Sequence, residues 1–170
     1  DEHQMNFLTV ARLVKQKGID RLIRVHRELI ANHYNHKFYI IGDGPERQAL
    51  EKLIKDGHLE KTFFFLGAKE NPYPYVKQAD IFCLLSKFEG YGMVLEEAKI
   101  LNKPILITNT AAREAVENYK NAMIVENDEH EIYNKLKYII ENNIRTFDDE
   151  KQTYENHHII KQLEKLLKEE

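Results

Sequence analysis

Long apolar runs are missing from this chain: no stretch approaches the length that a bilayer-spanning helix needs, so these residues hold no such span. Cysteine is almost missing too. Cys83 stands alone, which excludes an internal disulfide framework and fits a reducing compartment. There is no internal repeat, no low-complexity segment and no long linker, so neither a solenoid nor a string of modules is indicated. No charge sign dominates: 25 Lys and Arg face 28 Asp and Glu, a net charge of −3, and the basic residues are scattered rather than striped. That argues against a nucleic-acid partner. The first residues, DEHQMN, carry no signal-peptide pattern, and Asn6 opens an apolar strand almost at once. A piece cut from a longer chain is expected to look like this. What is present, 42% hydrophobic and 31% charged residues over 170 positions, suits one globular domain with its own core.

Short apolar runs alternate with amphipathic stretches, the pattern of a parallel sheet covered by helices on both faces. Strands are predicted at residues 6–11, 37–41, 62–66, 80–85, 104–108 and 122–125. Between the first two, Ile19, Leu22, Ile23, His26, Leu29 and Ile30 recur at helical spacing, with Gly18 and Asp20 marking the start. After Gly42-Asp43-Gly44, Pro45 is expected at a first helical position, with Leu50, Leu53 and Ile54 on the buried side and Gly57 as the stop. Residues 71–74, Asn-Pro-Tyr-Pro, read as a loop leading to a short helix that ends near Gln78. Asn127-Asp128-Glu129 should cap a helix carrying Ile132, Leu136, Ile139 and Ile140, and a last helix should carry Ile159, Ile160, Leu163, Leu166 and Leu167. The whole reads as a Rossmann-like three-layer αβα domain with a six-stranded, mostly parallel sheet, whose ligands bind at the carboxyl ends of the strands.

The most informative segment is EGYGMVLEE, residues 89–97, directly after the fourth strand. A strand that turns through glycines into a helix leaves unpaired N–H groups where the macrodipole favours an anion. Gly90 and Gly92 let that backbone approach a ligand closely. With the helix taken to start at Gly90, Glu97 lies two turns on, roughly 10 Å along one face, about the reach of a nucleoside diphosphate. A pyrophosphate on the N–H groups of Gly90, Tyr91, Gly92, Met93 and Val94 would leave a ribose near Glu97, with Glu89 facing whatever hangs from the distal phosphate. An ordinary helix with a first-turn acid and a solvated Glu97 fits the same residues.

Taken in order, TVARLVKQKGIDRLI (9–23), IIGDGPERQAL (40–50), FFLGA (64–68) and YVKQADIFCLLSKFEGYGMVLEEAKILNKPILIT (75–108) resemble the carboxy-terminal domain of group 1 retaining glycosyltransferases. The resemblance runs colinearly from Leu8 to about Val125 and extends less distinctly to the last helix. It implies one half of a GT-B arrangement, in which two Rossmann-like domains face each other. Residues 1–170 would then be a single nucleotide-sugar-binding domain, with a terminal helix at 150–170 packing toward an absent amino-terminal domain. The family's paired glutamates fall on Glu89, expected near the donor sugar, and Glu97, expected at the donor ribose; its basic pair falls on Arg12 and Lys17, expected to neutralise the diphosphate. An arginine fork and a lysine point charge suit departing phosphate oxygens. Gly42 and Gly44 resemble the family's glycine turn near the nucleotide, although such a turn needs no ligand. Gly67 ends the third strand where the family brings backbone close to the base, and Tyr73 and Tyr75 in the following loop suit either stacking or plain packing.

The resemblance further implies transfer of a hexosyl group from a nucleoside diphosphate sugar, UDP-sugar favoured, to an acceptor hydroxyl with retention, in polysaccharide or glycolipid synthesis. The acceptor site belongs to the absent domain, so this chain alone is expected to bind donor without turnover. A cytoplasmic location is expected, with peripheral membrane association only through that domain. No cofactor and no metal are expected: there is no Asp-x-Asp, and the eight histidines show no closed ligand spacing. One departure stands out, because Ala111-Ala112 replace a usual glycine pair before Glu114, which puts donor-sugar contacts there in doubt. Two alternatives remain at this stage: a non-catalytic nucleotide-binding module, and a nucleotide-sugar epimerase using Glu89 and Glu114 as acid and base.

Overall fold

The computed structural model describes residues 4–148. Six strands form one sheet in the order β3-β2-β1-β4-β5-β6, and every pairing is parallel. They are β1 (Met5–Val10), β2 (His36–Ile41), β3 (Phe63–Gly67), β4 (Ile81–Leu84), β5 (Ile105–Thr108) and β6 (Ala122–Val125). All six expected strands are present, because strands buried on both faces are written as short apolar runs. Successive residues supply opposite faces: Phe7 joins one core and Leu8 the other.

The first core lies beneath α1 (Ile19–Ala31), α2 (Arg47–Asp56) and α5 (Glu129–Glu141). The second lies beneath α3 (Tyr73–Gln78), α4 (Met93–Ile100) and a 3-10 turn at Ala111–Val116. Helix α1 buries Leu22, Ile23, His26 and Leu29 as its spacing predicts, and also Arg21. Helix α5 begins as expected, with Asp128 accepting from the N–H groups of His130 and Glu131.

Local details differ at α2 and α3. Pro45 lies in a turn ahead of α2, which starts at Arg47, and Leu53 is 40% exposed rather than buried. Gly57 keeps a right-handed φ of −88°, and His58 takes the left-handed conformation that ends the helix. Tyr73 and Pro74 fall inside α3, since a proline in the first turn gives up no helical bond. Among the described residues no helix is long and apolar enough to cross a membrane. The expected last helix, and with it the segment 150–170, lies outside the described residues.

A polar chain runs through the first core. His36 Nδ1 lies 3.1 Å from the Tyr34 carbonyl, which can only accept, so that nitrogen carries the hydrogen. His36 Nε2 then accepts from His26 Nδ1 at 2.8 Å, and His26 Nε2 accepts from the Thr62 hydroxyl at 2.9 Å. These directions hold while both rings are neutral; the Thr62 hydroxyl also has the Leu59 carbonyl within reach at 3.3 Å. Burial pushes His26 down to about 2, helped by its neighbour His36, and pushes His36 down to about 4. Folded-state values below the unfolded value of 6.5 mean that the unfolded chain takes up protons first as pH falls. The stabilisation is therefore complete above about pH 6.5 and is lost below it. Urea unfolding at pH 7 and pH 5 should show a loss of roughly 2 kcal/mol for each histidine, on the linkage relation; replacing both rings by apolar side chains should flatten most of that slope.

Candidate functional site

The chain runs outward from β1 to β2 and β3, then returns to place β4 beside β1 on the other side. Strands β1 and β4 pair only at Phe7 with Ile81 and Leu8 with Phe82, so their carboxyl ends diverge into a crevice. Such a switch point is where open α/β sheets bind ligands.

One wall of the crevice is the end of β4 and the segment after it, where β1 no longer pairs and several carbonyls are taken up by side chains. Thr9 donates its hydroxyl to the Cys83 carbonyl at 2.9 Å, Arg21 donates to Leu85 at 3.0 Å, Thr108 to Ser86 at 2.6 Å and Asn127 to Lys87 at 2.8 Å. The N–H groups of Lys87 and Phe88 donate to the Gln16 carbonyl at 2.9 and 3.2 Å. Gly18, at a φ of 68°, lets the preceding turn press against this strand end: a Cβ there would sit 3.0 Å from the Leu85 carbonyl oxygen. The 3-10 turn Lys15–Lys17 is thereby fixed against the β4 loop, and the Lys17 ammonium forms an ion pair with Glu89. Both side chains are largely shielded, 17% and 12% exposed, and the Ser86 hydroxyl donates to the same Glu89 oxygen at 3.3 Å. Cys83 is fully buried, which pushes its thiol up and makes it core rather than nucleophile.

The other wall is knitted from the ends of β1, β2 and β3. Gly42 donates to the Gly67 carbonyl at 3.0 Å, Ala11 to Ile41 at 3.0 Å and Leu13 to Asp43 at 3.0 Å. A Cβ on Gly42, whose φ is 142°, would fall 1.9 Å from the Ala11 carbonyl oxygen, and one on Gly44 would fall 2.5 Å from that of Leu13. These two glycines thus hold the loop that carries Arg12. Arg12 itself lies two residues beyond β1; it is exposed, and its side chain makes no ion pair or hydrogen bond among the described residues. Gly67 has a φ of 73° and open space beside it, the nearest atom to a Cβ being Arg47 Nη1 at 3.8 Å.

Helix α4 starts at Met93, three residues later than the motif suggested. Gly92 has a φ of 67°, a left-handed conformation that cannot lie inside the helix and serves as its N-cap. Gly90 is in the loop, where a Cβ would meet nothing within 4 Å. Leu95 donates to the Gly92 carbonyl at 2.8 Å, so the first N–H groups left for a ligand are those of Met93 and Val94. Around them Phe88, Tyr91 and Met93 are 68%, 62% and 81% exposed. Glu97 accepts from the Tyr73 hydroxyl at 3.4 Å, while Glu96 turns to Tyr91 and Lys99. Glu114 lines a separate cavity of about 250 Å³ with Glu96 and Lys99. Ala111 and Ala112 need no glycine, because they open a 3-10 turn in which Ala112 is buried. Tyr75 carries Lys69 over its ring, 5.7 Å from the centroid, and borders a cavity of about 310 Å³ with Leu8, Tyr39 and Leu66.

The family model for "Glycosyl transferases group 1" matches residues 1–166. The chain belongs to that family. Alpha-monoglucosyldiacylglycerol synthase of Acholeplasma laidlawii is 33% identical over 138 residues, which cover 79% of this chain and 34% of that enzyme. The chain spans about a third of the length of the curated relatives it matches. The fold is shared with the C-terminal domain of a group 1 protein, LpcC from Francisella tularensis, at a TM-score of 0.71 and 23% identity over 86% of this chain and 81% of that one. It is shared also with Staphylococcus aureus TarM, solved as a point mutant with fondaparinux, alpha-GlcNAc-glycerol and UDP, at a TM-score of 0.75 and 24% identity over 87% of this chain and 31% of that one.

In this group 1 glycosyltransferase domain the crevice brings together Lys17, Glu89, Gly90 and the start of α4, with Glu97 one turn further along the helix. It does not unite Glu114 with them. Sequence reading missed Arg21, Ser86, Thr108 and Asn127, whose partners in the β4 segment are mostly distant in sequence. Gly42→Ala should cost about 1–3 kcal/mol, the range for a side chain held at a special φ, whereas Gly90→Ala should stay within about 0.5 kcal/mol. Chemical denaturation of the two variants checks this, and equal effects would contradict the packing described.

Proposed function

We propose that this domain is the donor-binding half of a retaining glycosyltransferase that moves a hexosyl group from a nucleoside diphosphate sugar to an acceptor hydroxyl. The observation that supports this reading is that Lys17, Glu89 and the N-terminus of α4 lie together at the switch-point crevice of a group 1 family member. The diphosphate would lie across Arg12, Lys17 and the N–H groups of Met93 and Val94, where the macrodipole adds its field. Charge grows on those oxygens as the nucleotide departs, so these donors act where stabilisation counts in the transition state. In this reading no metal is needed, and among the described residues no three His, Cys, Asp or Glu side chains gather to hold one.

Glu97 would accept from the two ribose hydroxyls, with Tyr73 holding its carboxylate in position. Open backbone at Gly67 offers amide groups to the base. UDP is the favoured nucleotide because the similar TarM structure contains it. The product would be a polysaccharide or glycolipid, as the lipid-directed name of the Acholeplasma relative suggests. The exposed Phe88, Tyr91 and Met93 would face an acceptor-binding domain beyond this chain, without which donor is bound but not turned over.

Calorimetric titration of this chain with UDP and GDP, without divalent cations, tests the reading. Saturable binding of UDP is expected, and Glu97→Ala should weaken it about tenfold, the effect of removing hydrogen bonds to a charged acceptor. Equal binding by wild type and variant would remove Glu97 from the ribose site.

A further inference from the structure

Lys17 follows β1 and Glu89 follows β4, the two strands that flank the switch point, and their side chains bond to each other. On the donor-site reading, on which this inference rests, they serve different parts of the ligand: the ammonium the diphosphate, the carboxylate the sugar. With the pair intact, a phosphate that approaches Lys17 also meets the negative charge of Glu89. Both side chains are more than four-fifths shielded, so solvent screens that repulsion poorly. Arg12 is the remaining site cation without a partner among the described residues.

The bonding on Glu89 is one-sided. Lys17 and Ser86 both address Oε2, which leaves Oε1 open to a further donor. Ser86 is 1% exposed, and its own backbone carbonyl is tied to Thr108, so it stays in place whatever Lys17 does. A sugar with several hydroxyls can supply the donors that Glu89 loses when Lys17 turns to phosphate; a bare nucleoside diphosphate cannot.

We propose that Glu89 competes with the diphosphate for Lys17 and yields it fully only when a sugar occupies the site, so that the pair discriminates intact donor from the nucleoside diphosphate left after transfer. Ser86 is the positioning residue in this device: it keeps the released carboxylate aimed at the sugar. The effect of Glu89 on nucleotide affinity thus runs opposite to that of a simple binding residue.

The test is a double-mutant cycle on this chain, reading UDP and inorganic pyrophosphate affinity by calorimetry for wild type, Glu89→Gln, Lys17→Ala and the double variant. Glu89→Gln should bind UDP about fivefold tighter, the scale of a modest coupling between two groups. Lys17→Ala should bind more weakly, and in that background Glu89→Gln should bring no gain. An unchanged or weaker affinity in Glu89→Gln overturns the proposal. So does an equal gain with and without Lys17, which would reflect general anion repulsion. If no form binds UDP, GDP or pyrophosphate, the donor-site reading fails and takes this inference with it; binding by wild type without the gain sinks the competition alone.

Discussion

Where β4 runs out of partners, its carbonyls must be satisfied by something other than a strand, and the site depends on how this is done. Four side chains from four different places, Thr9, Arg21, Thr108 and Asn127, each take one carbonyl of residues 83–87. A buried carbonyl left without a donor costs about 1–3 kcal/mol, so the segment has one low-energy path and leaves the sheet in one direction. Glu89 begins two residues after the last clamped carbonyl. Its position is therefore set by the interior.

Arg21 shows what this arrangement costs. Its guanidinium is buried, desolvation lowers its pKa, and Nε has no partner. Natural cores retain such a group where it does a job that an apolar residue cannot. Here the job is to bridge α1 to the ends of β4 and the β6 loop, at Leu85 and Asn127. Beyond the clamp the design reverses: a Cβ on Gly90 would meet nothing within 4 Å, and Phe88, Tyr91 and Met93 are left exposed. A rigid stem thus carries a bare rim.

What could be read from the residues follows from the range of the interactions involved. Strand β4 was legible because all its side chains are buried, which writes an apolar run. The start of α4 was misplaced because Gly90 and Gly92 look alike in sequence; only the left-handed φ at Gly92 distinguishes the residue that turns the chain from the residue that leaves room. Glu89 was reached from the motif that starts α4 and Lys17 through family resemblance, and the structure adds that they bond to each other. Arg21, Thr108 and Asn127 were out of reach, since each completes a bond to a carbonyl 64, 22 or 40 residues away and leaves no local pattern.

The switch point has a thermodynamic side. Lys17 belongs to the half of the sheet built from β1, β2 and β3, and Glu89 to the half built from β4, β5 and β6. The Lys17–Glu89 ion pair joins the two halves. Any molecule that bridges the crevice binds only the closed sheet, and mass action then stabilises the whole described domain rather than one loop. Occupancy of this crevice and the integrity of the fold are for that reason linked equilibria.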